Sequence, residues 1–166
     1  MPEKGDGCLF GIGEYIAHPM HGAGKIDDIV KRRSGNVERD YYVLKLPVGE
    51  MRVMIPVDGC EGIGVRPIIG ADKAEEVLEA FKVIDISMTA NWNKRYRENM
   101  QKIKSGDLME VASVVKGLMK RDAERGLSTG ERKMLHSAKQ IFISEMVISL
   151  DCSYETIEDR LNSAFA

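Results

Sequence analysis

The chain has one tryptophan, Trp92, in the segment TANWNKRYRENMQKIKSGD, and three basic residues follow it within five positions: Lys94, Arg95 and Arg97. This combination suits nucleic acid. Cationic side chains bind phosphates, and an aromatic ring stacks on a base or wedges between base steps. A lone tryptophan is more often a core residue, and the residue types alone favour that alternative. The segment therefore has two interpretations, a buried core residue or a nucleic-acid contact.

Helical phase separates the segment into two stripes. With about 100° per residue, a basic stripe lies nearly opposite an apolar stripe that begins at Trp92 and continues through Tyr96, Met100 and Ile103. Arg95 flanks the apolar stripe. Because Trp92 falls in the first turn, its ring could project past the end of the bundle while the later apolar residues anchor the helix. Phase alone leaves both alternatives open, and the residue types still favour the buried one.

Residues with catalytic or metal-binding chemistry are sparse elsewhere. His18 and His21 lie three apart around a proline turn, whereas a metal site needs three or four ligands. A metal-dependent enzyme using this pair remains a weak alternative. The cysteines Cys8, Cys60 and Cys152 are too far apart for a zinc site or a disulfide framework. The glycine-rich GIGEYIAHPMHGAG matches neither a phosphate loop nor a dinucleotide motif. We therefore predict no catalytic residue, no metal, no cofactor and no small-molecule substrate.

Composition and charge distribution narrow the class of protein. The 166 residues are 43% hydrophobic, as in a globular chain. No apolar run approaches the roughly 20 residues of a membrane span, and the first ten residues lack a signal-peptide pattern, so we expect a cytoplasmic protein. Residues 89–139 carry twelve Lys and Arg against six Asp and Glu, although the net charge is −2. This excess indicates a polyanion-facing surface; the alternative is a set of solvated helix faces.

The first 70 residues have the pattern of a small β domain. EYIAHP, KIDDIV, YYVLKLP and MRVMIPV are short strand candidates separated by glycine and proline turns. RRSGNVERD, residues 32–40, has the composition of a hairpin loop, with Ser-Gly-Asn as its turn. The pattern predicts a small barrel or meander.

After residue 70 helical periodicity takes over. We expect a first helix capped by Asp72, a connection over VIDISMTA, and then the Trp92 helix, which SGD terminates. Asp107 should cap the next helix, which ends at Gly126. The box Ser128-x-x-Glu131 should open a long helix to about residue 150, and Ser153 should cap the last one. The second half is therefore a helical bundle.

Two groups of motifs are similar to one known family. The first group is IAHPMHGAGKIDDI, YYVLKLPVGEMRVMIPVD and GIGVRPII, and the second contains NWNKRYRENMQKIKSGD and RDAERGLSTGERKML. Together they cover the chain from residue 13 to about residue 150. On these motifs the sequence resembles the CarD/CdnL family of bacterial regulators that bind RNA polymerase.

The resemblance implies a fold, partners and site residues. It implies an α+β protein with a Tudor-like β domain at residues 11–70, a helix and connection at 71–88, and a helical DNA-contacting domain at 89–166. The β domain would dock on the polymerase β subunit through Arg32, with Met54 where some members have arginine, and with Arg52 beside it. No role is implied for residues 1–10.

On the DNA side, the resemblance implies that Trp92 wedges into the minor groove at the upstream edge of the transcription bubble, so we expect Trp92 to be at least partly solvent-exposed. Arg97 would contact the DNA backbone, with Arg95 close by, and Lys94 of the basic stripe is a further DNA-binding candidate. The expected function is a non-enzymatic regulator that stabilises the promoter open complex, cytoplasmic and associated with the nucleoid through the polymerase. The alternative is a polymerase-bound adaptor that recruits another protein and does not touch DNA.

Overall fold

The computed structural model describes residues 9–165, so Cys8 lies outside the described part. Within this range the strands are β1 (Tyr15–His18), β2 (Gly22–Ser34), β3 (Val37–Lys45), β4 (Arg52–Pro56) and β5 (Arg66–Pro67). The helices are α1 (Ala71–Val83), α2 (Trp92–Lys104), α3 (Leu108–Arg125), α4 (Thr129–Leu150) and α5 (Tyr154–Ser163). None of these helices is both long enough and apolar enough to cross a membrane.

The strands form one antiparallel sheet in the order β4-β3-β2-β1-β5. One face packs on a core that includes Ile16, Ile26, Tyr42, Leu44 and Ile55, each at most 1% exposed. The predicted α+β class, a Tudor-like β domain followed by a helical bundle, is confirmed. Strand β5 has two residues and was not predicted, because Arg66–Pro67 is too short to show an alternating pattern.

The prediction of a hairpin loop over residues 32–40 is wrong. Strand β2 continues to Ser34 and β3 starts at Val37, so only Gly35 and Asn36 remain as the turn, with Gly35 at φ 62°. The strands form a two-stranded ribbon whose residues 31–39 are exposed on both faces. Both faces of the ribbon contact water, so charged side chains are tolerated on either face. The ribbon therefore has an amino-acid composition like that of a loop.

Side-chain caps define most of the helix starts. Asp107, Ser128 and Ser153 accept hydrogen bonds from backbone N–H groups in the first turns of α3, α4 and α5, as predicted. The prediction that Asp72 caps α1 is wrong. The N-cap is Gly70, which has no capping side chain, and Asp72 lies within the first turn. There its carboxylate is still favourable, because the N-terminal end of the helix dipole is positive.

The five helices share one core, and a buried lysine connects two of them. Lys116 of α3 is 9% exposed, and its Nζ donates to the carbonyls of Phe81, Lys82 and Ile84 at 2.7, 3.0 and 2.9 Å. These are the last carbonyls of α1 and the residue after it, which lack partners inside a helix. Lys116 therefore caps the C-terminus of α1 from a neighbouring helix. Burial lowers the pKa of its ammonium group.

Helix α4 connects the helical bundle to the β domain. Its Ser144 Oγ accepts from the Ala23 N–H at 2.9 Å. Glu145, 2% exposed, accepts from Arg66 Nη1 and Nη2 at 2.7 and 2.9 Å and from the Ile69 N–H at 2.9 Å. One turn later Ser149 Oγ donates to the Ile69 carbonyl at 2.8 Å. The domains therefore meet through directional bonds that specify one arrangement.

We expect Glu145→Gln to lower the free energy of unfolding by about 3 kcal/mol, because it leaves Arg66 without its ionised partner at a largely buried site. Urea denaturation measures this. The control is Glu75→Gln, which removes the bidentate partner of Arg160 (2.9 and 2.7 Å). This ion pair joins α1 to α5 and is partly exposed to solvent. Water solvates that site, so the loss should be much smaller. Equal losses would contradict a buried interdomain bond.

Candidate nucleic-acid interface

Trp92 lies at the N-terminus of α2 and is held against the start of α4. Its ring stacks on Tyr96, with centroids 5.2 Å apart and an interplanar angle of 19°. Its Nε1 donates to Ser128 Oγ at 3.0 Å. The backbone of Gly130 lies beside the ring edge, where an added Cβ would be 3.5 Å from Trp92 Cζ2. The residue is nevertheless 42% exposed, which confirms the predicted partial exposure.

Arg95 does not have the position expected of a DNA contact. It is 2% exposed, and its Nε and Nη2 donate to the Glu131 carboxylate at 2.8 and 3.1 Å. Its Nη1 donates to the carbonyls of Thr89 and Ala90 at 3.1 and 2.9 Å. The prediction that Arg95 binds DNA is therefore corrected: its donors are used inside the protein. Arg95 lies on the flank of the apolar stripe, and that flank is turned inward.

The Arg95–Glu131 pair joins three segments of chain around Trp92. It connects α2 to the first turn of α4 and to the connection that immediately precedes α2. The hydrogen bonds from Arg95 lower the pKa of the Glu131 carboxyl, and the hydrogen bond to Glu131 raises the pKa of Arg95. Both groups therefore stay charged near neutral pH. Arg121 Nε adds a longer contact, 3.9 Å from Glu131 Oε1.

Exposed cationic side chains lie on both helices that hold Trp92. Lys94 and Arg97 are exposed on the outward side of α2, where the sequence placed them. Arg132 and Lys133 are exposed in α4, within about one turn of Ser128, and sequence reasoning missed them. The signal was the pair of basic residues directly after the capping box, but nothing local shows that the start of α4 lies beside Trp92. The arrangement provides an exposed aromatic ring and exposed phosphate-binding groups on the two helices that hold it.

His18 and His21, the two histidines considered as metal ligands, lie close together, with ring centroids 4.4 Å apart. His18 Nδ1 accepts from the Met20 N–H at 3.0 Å. Burial, followed by the nearby His21, lowers the pKa of His18 to about 4. Among residues 9–165 no group of three or more His, Cys, Asp or Glu side chains is arranged to hold a metal ion.

The three residues expected to contact polymerase share one face of the sheet. Side chains alternate along strands, so the buried Tyr42, Leu44 and Ile55 define the core face. The opposite side, here called the outer face, includes Asp28, Val30, Arg32, Arg39, Tyr41, Val43, Arg52 and Met54. Met54 is 40% exposed at the apolar centre of this face, and Arg32 is exposed on the ribbon. Arg52 forms an exposed ion pair with Asp27 at 3.1 Å.

Two known family models match this chain, one in each half. The family model described as "CarD, C-terminal domain" matches residues 76–162, and the one described as "CarD-like/TRCF RID domain" matches residues 10–69. The chain is also similar to the "Putative transcription factor YdeB" of Bacillus subtilis (strain 168). Identity to that protein is 34% over 140 residues, which cover 84% of this chain and 92% of the relative.

Ser128→Ala removes both the cap of α4 and the acceptor of Trp92 Nε1. We expect a loss of about 1 kcal/mol in the free energy of unfolding and a less restrained Trp92 ring. The fluorescence of this single tryptophan should show lower anisotropy and faster acrylamide quenching. Ser153→Ala is the matched control, because it removes the cap of α5, 3.1 Å from the Thr156 N–H, away from Trp92. Unchanged quenching in Ser128→Ala would contradict the restraint.

Arg95→Met leaves Glu131 buried without its main cation, and we expect the free energy of unfolding at pH 7 to fall by about 3–5 kcal/mol. In the wild type the folded pKa of Glu131 lies below its usual value of 4.5. This group therefore stabilises the fold above that value, and the stabilisation is lost as pH falls through the folded pKa. In Arg95→Met this acid-dependent loss should be shallower. Denaturation series at several pH values measure it, and an unchanged slope would contradict the pairing.

Proposed function

This chain belongs to the CarD-like family of transcription factors, and from that premise we propose that it stabilises the promoter open complex while bound to RNA polymerase. A role in transcription regulation follows from the family. The finer mechanism, a Trp92 wedge at the upstream bubble edge, is supported chiefly by one observation. Trp92 is fixed on two sides and still 42% exposed at the end of the bundle.

The proposed DNA contact is independent of base sequence. Lys94 and Arg97 are exposed on the helix that begins at Trp92 and would bind backbone phosphates. Residues 89–139 carry an excess of six positive charges, enough for weak, salt-dependent binding. The exposed part of Trp92 would enter the minor groove and pack against a base step that is already opened. Because Ser128 and Tyr96 hold the ring in one orientation, little conformational entropy is lost on insertion.

The proposed polymerase contact is the outer face of the sheet, docked on the β subunit. Arg32, Arg52 and Met54 lie on this face, and the half-buried Tyr41 and Val43 complete its apolar centre. Arg32 and Arg52 flank that centre, and Asp28 lies opposite Val43. The apolar side chain of Met54 suits this centre better than a charge would. Docking raises the effective concentration of the helical bundle at the promoter, so weak DNA affinity is sufficient.

Stabilisation requires that the wedge bind open DNA more tightly than closed duplex. A preference of about 1.4 kcal/mol changes the ratio of open to closed complexes tenfold. A ring that inserts only where bases are unstacked gives such a preference. The protein would then act in the cytoplasm at the nucleoid, with promoter DNA and the polymerase β subunit as partners.

We expect Trp92→Ala to shorten the lifetime of the open complex by about tenfold and to leave polymerase affinity unchanged, because Trp92 is remote from the outer face. Competitor-challenge kinetics with the cognate polymerase measure the lifetime. The matched control is Phe165→Ala, which removes an aromatic side chain of similar exposure, 40%, beyond α5. An unchanged lifetime in Trp92→Ala would exclude the wedge.

Footprinting separates the wedge from the adaptor alternative. The double variant Lys94→Glu and Arg97→Glu should lose upstream DNA protection on the polymerase complex. If the wild type gives no upstream protection and this double variant retains full function, the protein is an adaptor.

A further inference from the structure

The β2–β3 ribbon carries an arginine directly opposite another arginine. The register pairs Arg32 with Arg39, between the pairs Lys31–Asp40 and Arg33–Glu38. Residues directly opposite each other in an antiparallel pair point to the same face, with Cβ atoms about 5 Å apart. Like charges at such positions destabilise the sheet. The ribbon therefore contains one unfavourable cross-strand pair between two favourable ones.

The two faces of the ribbon differ in their charge. On the face continuous with the core, Lys31 is opposite Asp40 and Arg33 is opposite Glu38, so positive and negative charges balance. On the outer face, the neighbours of the arginine pair are uncharged: Val30, Ser34, Val37 and Tyr41. Within residues 9–165 neither Arg32 nor Arg39 makes an ion pair. The repulsion is not relieved by any carboxylate of the described chain.

We propose that Arg32 and Arg39 form a two-arginine clamp that binds one acidic side chain of the polymerase surface, so that Arg39 is a specificity-determining residue of the docking face. This inference rests on the proposed docking through the outer face and adds the chemistry of the partner. A carboxylate accepts up to four hydrogen bonds, and two guanidinium groups can donate to its two oxygens. Its negative charge also cancels the repulsion between the arginines on binding.

The position of the clamp explains how it selects a partner. Arg39 lies four residues from Val43 along β3, which is about 13 Å, and Val43 is opposite Met54. The apolar centre of the outer face would contact any apolar patch, whereas the clamp requires a carboxylate at one distance from that patch. A partner without the acid would desolvate two unpaired cations on docking and gain no ion pair in return, which disfavours the complex. The clamp thus supplies specificity at the end of the face where the ribbon projects.

The clamp makes stability and binding change in opposite directions. Arg39→Glu converts the like-charge pair into an opposite-charge pair, so we expect the denaturation midpoint to rise at low salt and the rise to shrink at high salt. The same change places a negative charge against the acid of the partner. Affinity for the cognate polymerase should fall by about tenfold at low salt. A residue with a merely structural role would not gain stability and lose binding together.

Two further variants act as controls on the ribbon. Arg33→Glu is the matched reversal on the other face, where it creates a Glu–Glu pair with Glu38. We expect it to lower the denaturation midpoint and to leave polymerase affinity unchanged. Arg39→Lys keeps the charge and should retain most of the affinity.

Equilibrium binding to purified polymerase, combined with denaturation of the full chain, tests the clamp. A more stable Arg39→Glu that binds more weakly, beside a less stable Arg33→Glu that binds normally, supports the clamp. If the wild type binds polymerase and Arg39→Glu binds equally well, the clamp is wrong and the docking proposal is unaffected. Equal loss of binding in Arg33→Glu also overturns it. If the wild type itself does not bind polymerase, the docking proposal fails and the clamp fails with it.

Discussion

Two buried carboxylates on one helix hold this molecule together. Glu131 and Glu145 of α4 are each 2% exposed, and each accepts two hydrogen bonds from an arginine of another element, Arg95 or Arg66. They are fourteen residues apart, about 21 Å along the helix and on nearly the same side of it. One pair organises the end of the bundle that carries Trp92, and the other holds the β domain. Helix α4 therefore fixes the distance between the proposed DNA contact and the proposed polymerase contact.

Ion pairs of this kind are a costly way to obtain stability. Removing two charges from water offsets most of their attraction, and well-packed apolar residues can give equal stability. These pairs instead fix the relative orientation of the elements they join, because a planar guanidinium forms two good hydrogen bonds to a carboxylate only over a narrow range of orientations. Arg95 also donates to two carbonyls of the connection before Trp92, so that segment is fixed as well. An orientation specified in this way suits a ring that must present one edge to DNA.

Local signals in the sequence were sufficient for much of the fold. The caps Asp107, Ser128 and Ser153 follow from patterns within one or two helical turns, whereas the partial exposure of Trp92 was expected from its first-turn position together with the family resemblance. These predictions are confirmed. The failure at Arg95 involves a contact between distant residues. Arg95 was expected at the DNA contact because it is basic and lies between Lys94 and Arg97 in the sequence. Only its partner Glu131, thirty-six residues later, shows that it is buried.

The same limit applies to the site. Helical phase identifies Lys94 and Arg97 as exposed, since that is a property of one helix. It cannot show that Arg132 and Lys133 follow the helix start that contacts Trp92, or that Ser128 accepts its Nε1–H, because both depend on how α4 packs on α2. The docking of α4 on β2 is likewise not encoded in either element alone. The Ala23–Ser144 bond spans 121 residues and has no local signature.

That bond has a consequence for how the protein is made. The last strand of the sheet ends at Pro67, whereas the bonds that orient the β domain come from Ser144, Glu145 and Ser149. Ribosomes add about 5–20 residues each second, so the sheet leaves the exit tunnel several seconds before helix α4. The local hairpins of the meander can pair in that interval, because their contacts are close in sequence. The nascent chain thus completes its β module first and places the tryptophan end of the molecule relative to it last.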